Sequence, residues 1–260
     1  MRHTIDLNCD LGEYSSKTEE EKEIAIIPYV SSANIACGLH AGNQLSIKKT
    51  ISRAVQNNVG VGAHPSFPDR DNFGRKAMTM AENALREVIR RQLEDFANCA
   101  SAVGAQMTHV KAHGALYNMA AVDLSLAAVI CETIYDINPH LLVFGLANSF
   151  WVRAANDAGI VLIEEAFADR RYLSGSQLVP RSNKQALISD ALEAEQQVLR
   201  LVRDKVVTSI DGAEHGVEAG TICIHGDSDF ALNIVSGVEK SLLVNQIDIS
   251  YPTCSEVTGR

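Results

Sequence analysis

Short apolar runs alternate with longer helical patterns along the chain. Runs rich in Val, Ile and Leu, closed by Gly, Asn or Asp, read as strands; apolar positions recurring at i, i+3 and i+4 read as helices. The pattern predicts strands over residues 3–9, 33–37, 59–63, 108–111, 141–145, 160–163 and 221–224. It predicts helices over 18–29, 44–57, 81–103, 125–135, 150–157, 184–204 and 230–243. In the third of these, Leu85, Val88, Ile89, Leu93 and Phe96 form the stripe of a helix resting on a sheet. The stretch 206–218 breaks the rhythm, and its Asp211-Gly212 pair predicts a small β-hairpin outside the main sheet.

About seven βα units imply a mostly parallel sheet, either open or closed. Open parallel sheets are covered on both faces, so their central strands are apolar throughout. Here several strands are two-faced. Ile5, Leu7 and Cys9 alternate with Asp6, Asn8 and Asp10; Val110 and Ala112 alternate with His109, Lys111 and His113; Ile222 and Ile224 alternate with Cys223, His225 and Asp227. Side chains at i and i+2 share a face, about 6.6 Å apart. The apolar face suits outer helices and the polar face suits the inside of a barrel. The expected fold is a single α/β domain over 1–260, an irregular, seven-stranded TIM-like (β/α) barrel of the glycoside hydrolase/deacetylase kind.

At 260 residues and 46% hydrophobic, the chain can bury a core without disulfides or a structural metal. A net charge of −9 argues against binding nucleic acid or an anionic membrane surface. Cys9, Cys37, Cys99, Cys131, Cys223 and Cys254 form no C-x-x-C pair and read as buried thiols in a reducing compartment. No apolar stretch approaches the roughly 20 residues of a membrane helix. The start leads directly into a strand, without a signal peptide, so a cytoplasmic protein is expected.

Every predicted strand but the fifth ends in ionisable or amide groups. The first offers Asp6, Asn8, Asp10 and Glu13; the second, Asn34 and His40. The third offers His64, with Gly60 and Gly62 expected to leave space beside it. The fourth gives Lys111, His113 and Asn118; the sixth, Glu164, Glu165, Asp169, Arg170 and, further on, Arg181; the last, His225 and Asp227. Taken alone, an Asp here caps a turn and a His is a satisfied structural group. Six strand ends with the same feature point instead to the acid–base rim of a barrel active site. Asp10, His40 and His64 are ligand types of three-ligand metal sites, although no His-x-x-x-His spacing is present, which leaves a catalytic metal open. The chain has no G-x-S-x-G elbow, no G-x-x-x-x-G-K-[ST] and no G-x-G-x-x-G after the first strand.

The residues from Ile5 to Glu13 (Ile-Asp-Leu-Asn-Cys-Asp-Leu-Gly-Glu) resemble the opening motif of the LamB/YcsF family. The resemblance continues through Ser32 to Gly42, Gly62 to Ser66, Phe73-Gly74-Arg75, Lys111 to Asn118, Glu165 to Arg170, Val179 to Ser182 and His225-Gly226-Asp227. Three positions depart from the family pattern. Ala112 stands in place of a Pro and is expected on the outward face. Asn43 stands where Asp is usual. Gly175-Ser176 replaces an Asp-Gly turn.

The resemblance implies the A subunit of an ATP-hydrolysing 5-oxoprolinase, a hydrolase that opens the lactam of 5-oxo-L-proline to L-glutamate with partner subunits B and C. ATP, with Mg2+, would be bound mainly by the partners. Asp10, His64, Lys111, His113, His225 and Asp227 would then form the catalytic group. Asp6, Asn8, Glu13, His40, Asn118, Asp169, Arg170 and Arg181 would bind substrate. Lys111 or Arg170 would hold a carboxylate or phosphate, Asp10 or His64 would deprotonate water, and His113 or His225 would protonate the leaving nitrogen. The competing readings are a metal-dependent carbohydrate deacetylase and a non-catalytic ligand-binding subunit.

Overall fold

A computed structural model describes residues 3–174 and 177–254. The Gly175-Ser176 position lies outside them. The strands are β1 (His3–Leu11), β2 (Ser32–Ala36), β3 (Gly60–His64), β4 (His109–Lys111), β5 (Leu142–Leu146), β6 (Val161–Phe167), β7 (Val206–Thr208), β8 (Glu214–Gly216), β9 (Thr221–Cys223) and β10 (Ile247–Ile249). The helices are α1 (Lys17–Ile26), α2 (Gln44–Gln56), α3 (Glu82–Ala102), α4 (Gly114–Val122), α5 (Leu124–Ile137), α6 (Phe150–Ala158), α7 (Ala191–Arg203) and α8 (Ala231–Val244).

Strands β1-β2-β3-β4-β5-β6-β9 pair in parallel, and β9 returns to β1, which closes the seven-stranded barrel. The length of β1 lets it serve two neighbours on one edge: residues 3–5 pair with β10 and residues 6–8 with β9. β7 and β8 form the antiparallel hairpin, with Gly212 at φ +84° in its turn. No single described helix is long and apolar enough to cross a membrane.

The local signals explain most elements. Ser16 and Glu19 make a reciprocal capping box that starts α1. Asn43 caps α2 by accepting from the amides of Leu45 and Ser46, which gives this departure from the family pattern a structural role. The helix expected from residue 184 starts at Ala191 instead, because Asp190 accepts from the Glu193 amide and fixes the start there. Two elements were not foreseen. α4 is apolar on most sides, with Ala115, Leu116, Tyr117, Ala120 and Ala121 buried, so it shows no amphipathic stripe. β10 is three residues long, too short to show a period.

The outward side chains Leu7, Cys9, Leu11, Ile35, Val61, Ala63, Val110, Val143 and Ile222 pack under the helices in the main core. The inside is mostly polar, with an apolar patch low in the barrel. Leu142, Phe144 and Ile163 form a separate inner cluster with Val161 and Cys254. The space expected beside Gly60 and Gly62 is filled. A Cβ on Gly62 would lie 2.2 Å from the His109 ring, and one on Gly60 would lie 3.0 Å from Tyr251. His109 stacks on Phe144 at 4.2 Å and plugs the lower barrel.

Candidate active site

The register sets the polar layers. Asp10 pairs with Asn34, Asn34 with Gly62, Gly62 with His109, and Asn8 with Cys223. In the lowest layer Asp6 accepts from the hydroxyls of Ser31, Ser32 and Thr221. Burial pushes its carboxyl from 3.8 up to about 6, against those hydrogen bonds. A carboxyl raised on folding stabilises most in its protonated form. That contribution is complete below the unfolded value and is lost as pH climbs through the folded one. The span of about two pKa units corresponds to about 3 kcal/mol. We expect the stability advantage of wild type over Asp6→Asn to shrink by about 2–3 kcal/mol between roughly pH 4 and pH 7 in urea melts. A pH-independent difference would show that Asp6 titrates alike in both states.

Above this layer sits the Lys111 ammonium, 3.0 Å from Asp10 Oδ1, 2.9 Å from Glu165 Oε1 and 3.1 Å from Asn8 Oδ1. Burial opposes its charge, but Asp10, Cys223 and Glu165 hold it protonated, well above the usual lysine value. Glu165 also accepts from Asn8 at 2.8 Å and from the Tyr117 hydroxyl at 2.6 Å. Asn34 donates to Asn8 and to Asp10, and its own oxygen faces His109 Nε2 at 2.9 Å. Lys111 is thus engaged by this network; of the two groups expected to hold a substrate anion, Lys111 and Arg170, it is the one already ringed by acceptors.

A histidine cluster covers one side. His64 Nδ1 donates to the Lys111 carbonyl oxygen at 2.7 Å, and His113 Nε2 donates to the Phe73 carbonyl oxygen at 2.8 Å. The second contact depends on a close approach of backbones. Gly114, at φ +57°, leaves no room for a Cβ, which would fall 2.6 Å from the Gly74 oxygen. His40 stacks on His113 at 3.8 Å and meets Glu13 at 2.9 Å. Burial works against the His64 imidazolium, but the Asp10 and Glu13 carboxylates outweigh it and raise that histidine. Burial also opposes the Asp10 carboxylate; His64 and Lys111 override it and hold Asp10 well below the carboxylate range. Burial, with the His64 charge adding, depresses His40 to about 2 and His113 to about 3.

The three candidate metal ligands read from sequence, Asp10, His40 and His64, do not come together as one group. The structure gathers Asp10, His64 and His113, with Glu13, His40 and His113 as an overlapping group.

Across the floor, Asp169 holds His225 Nδ1 at 2.9 Å and accepts from its backbone amide at 3.0 Å. The His225 ring lies along Phe167. Arg170 is buried; one guanidinium nitrogen donates to the Val179 carbonyl at 2.7 Å, while its Nε has no partner. Burial lowers its pKa. Asp227 joins Arg75 at 2.9 Å to Arg181 at 3.2 Å.

These groups surround a cavity of about 410 Å³ at the C-terminal mouth of the barrel. Asp10, Glu13, His64, Lys111, His113, Asn118, Arg170, Arg181, His225 and Asp227 all line it. Asp6, Asn8, His40 and Asp169 do not; Asn8, His40 and Asp169 each contact a lining residue, while Asp6 lies a layer deeper on Ser31, Ser32 and Thr221. Ala112, expected on the outward face, packs in the main core and also borders the cavity. Arg75 and Tyr117 were missed as site residues, and Glu165 was seen only as a strand end. Glu165 follows from the alternation Ile163, Glu165, Phe167. Tyr117 sits on the unforeseen α4, and Arg75 had only its place in a family motif as a signal.

The sequence pattern of the LamB/YcsF family matches residues 5–257. The chain belongs to the LamB/YcsF family. The A subunit of a 5-oxoprolinase from Bacillus mycoides (strain KBAB4) is 42% identical over 250 residues, spanning 96% of this chain and 98% of its own. The lactam utilization protein from Thermus thermophilus superposes with a TM-score of 0.87 at 34% identity, covering 95% of this chain and 99% of that one. The Xyl-CE4 domain of a multidomain xylanase, from the hindgut metagenome of Trinervitermes trinervoides, has a TM-score of 0.53 at 11% identity, covering 100% of this chain and 92% of that one. That likeness concerns the barrel fold alone. This LamB/YcsF chain therefore shares its length and its fold with relatives named for lactam chemistry.

Proposed function

We propose that this chain is the A subunit of an ATP-dependent 5-oxoprolinase and that its barrel opens the lactam of 5-oxo-L-proline. One observation carries the reading. A cavity of small-ligand size sets an oriented His225 and the Asp10 carboxylate against a buried arginine, Arg170, whose Nε lacks a partner. A five-membered lactam bearing a carboxylate needs both halves. Arg170, with Arg181 and Arg75 at the rim, binds the anion. Asp169 holds His225 in the tautomer that leaves Nε2 to exchange protons in the cavity. Water adds at the lactam carbon, the C–N bond breaks, and the nitrogen leaves as an amine after taking a proton. Asp10 and His225 are the groups placed to move those protons.

The coupling to ATP, with Mg2+, belongs on this reading to partner subunits B and C, which transfer the γ-phosphoryl group to the lactam oxygen and release ADP; once the ring opens, a second water cleaves the resulting acyl phosphate to glutamate and inorganic phosphate. The Bacillus relatives are named as one lettered subunit of an enzyme, which supports a complex of several different chains. This sequence carries no phosphate-loop motif. The cytoplasm suits the reaction, since ATP is available there and free thiols persist. We expect glutamate formation from 5-oxoproline and ATP only when the chain is combined with B and C, and no ATP hydrolysis by the chain alone. Undiminished glutamate formation by B and C without the chain, or robust ATPase activity of the isolated chain, would refute this division.

A further inference from the structure

Four side-chain atoms converge beside the floor of the cavity: Asp10 Oδ2, Glu13 Oε1, His64 Nε2 and His113 Nδ1. His64 Nε2 lies 3.3 Å from Asp10 Oδ2, 3.0 Å from His113 Nδ1 and 3.9 Å from Glu13 Oε1. His113 Nδ1 lies 3.3 Å from Glu13 Oε1. The tautomers of both rings follow from their other nitrogens. His64 Nδ1 and His113 Nε2 each face a backbone carbonyl oxygen, which only accepts. Each ring therefore carries its proton there. In their neutral forms the two rings turn lone pairs toward each other and toward two carboxylates. Four acceptors gathered in a buried space are unfavourable unless a cation, either a proton on His64 or a metal ion, sits among them.

We propose that Asp10, His64, His113 and Glu13 form a binding site for one divalent transition-metal ion, with zinc the best match to the ligand set. The spacing supports this. Ligands about 2.0–2.2 Å from a tetrahedral metal lie roughly 3.3–3.6 Å from one another, and the separations of His64 from Asp10, Glu13 and His113, and of His113 from Glu13, scatter around that range. The surroundings support it as well. Metal-binding histidines characteristically donate their other nitrogen to a carbonyl or carboxylate, which fixes the ring; both rings here do so. His40, parallel to His113 at 3.8 Å and joined to Glu13, braces both ligands from behind. A single proton on His64 Nε2 would satisfy one or two of the acceptors, whereas a divalent ion satisfies all four.

A second ligand group at the edge of the cavity, Asp10 with His225 and the buried Cys223, does not suit a metal. Cys223 Sγ already lies 3.1 Å from the Lys111 ammonium, which would repel one. When bound, a metal at the first site would supply Lewis-acid polarisation of an amide carbonyl. That use rests on the lactam-opening reading; the site itself does not.

The test reads metal and not turnover. The purified chain is stripped with a chelator, its melting checked, and titrated with Co2+ in place of zinc while the visible absorption is followed. The expected result is one Co2+ per chain with a tetrahedral spectrum, and two imidazoles in the cobalt-edge X-ray absorption. Binding should be lost in His113→Asn and Asp10→Ala and retained in His225→Gln. Failure of the wild-type chain to bind Co2+, Zn2+ or Mn2+ stoichiometrically overturns the proposal, as does binding that survives His113→Asn. Metal binding without any 5-oxoproline cleavage in the presence of B and C would leave this site standing and remove the lactam reading instead.

Discussion

Lys111→Met is expected to abolish glutamate formation and to destabilise the chain by about 3–5 kcal/mol. Methionine keeps the reach of the side chain and removes the charge. Asp10 and Glu165, both hydrogen-bonded to the ammonium in the barrel interior, then lose their shared counter-ion. Deleting one partner of a buried pair costs far more than the pair contributes, because the remaining charge stays desolvated. The chain relieves the penalty by protonating a carboxylate, and Asp10 is then no longer the ionised group the site needs. Urea denaturation, beside turnover measured with B and C present, checks both halves. A loss of stability under about 1 kcal/mol would show that the interior tolerates unpaired carboxylates and that the ammonium does not hold the network together.

His225→Ala should act on the chemistry with little effect on the fold. His225 lines the mouth, and Asp169 keeps the His225 backbone amide as a partner when the imidazole is removed. A positioned general acid–base contributes about 10²–10⁴-fold to rate, and we expect kcat for glutamate formation to fall by that factor. Asp169→Asn should reproduce most of the loss, because an amide in place of the carboxylate no longer fixes which ring nitrogen carries the proton. Steady-state kinetics with B and C present, together with thermal melts, separates this from unfolding. Turnover within about threefold of wild type in both variants would exclude the dyad from proton transfer.

Much of this site was legible in the sequence because strands encode direction with a period of two. Once Ile5, Leu7 and Cys9 face the helices, Asp6, Asn8 and Asp10 must face inward, and the same holds for Lys111 and His225. The choice of a closed barrel followed from that alternation. What the period cannot give is depth. Asp6 and Asp10 share a face, yet the first lies beneath the floor and the second lines the cavity. Nor does it give lateral partners. Lys111 looked free to bind an anion until the register brought Asp10 and Glu165 around it. The pairing of His113 with His64, in place of His40, depends on how the loop carrying Gly74 meets the start of α4 at Gly114. That is a long-range packing outcome with no local pattern.

The central claim is that the lactam opens in this cavity. Asp10→Asn, assembled with subunits B and C and supplied with 5-oxoproline and ATP, tests it most directly, since Asp10 joins the Lys111 network to the histidine cluster. Glutamate is measured together with the elution of the complex on size exclusion. We expect the complex to remain assembled and glutamate formation to fall by at least about 10²-fold. Wild-type turnover from an intact complex carrying Asp10→Asn would place the ring-opening step elsewhere.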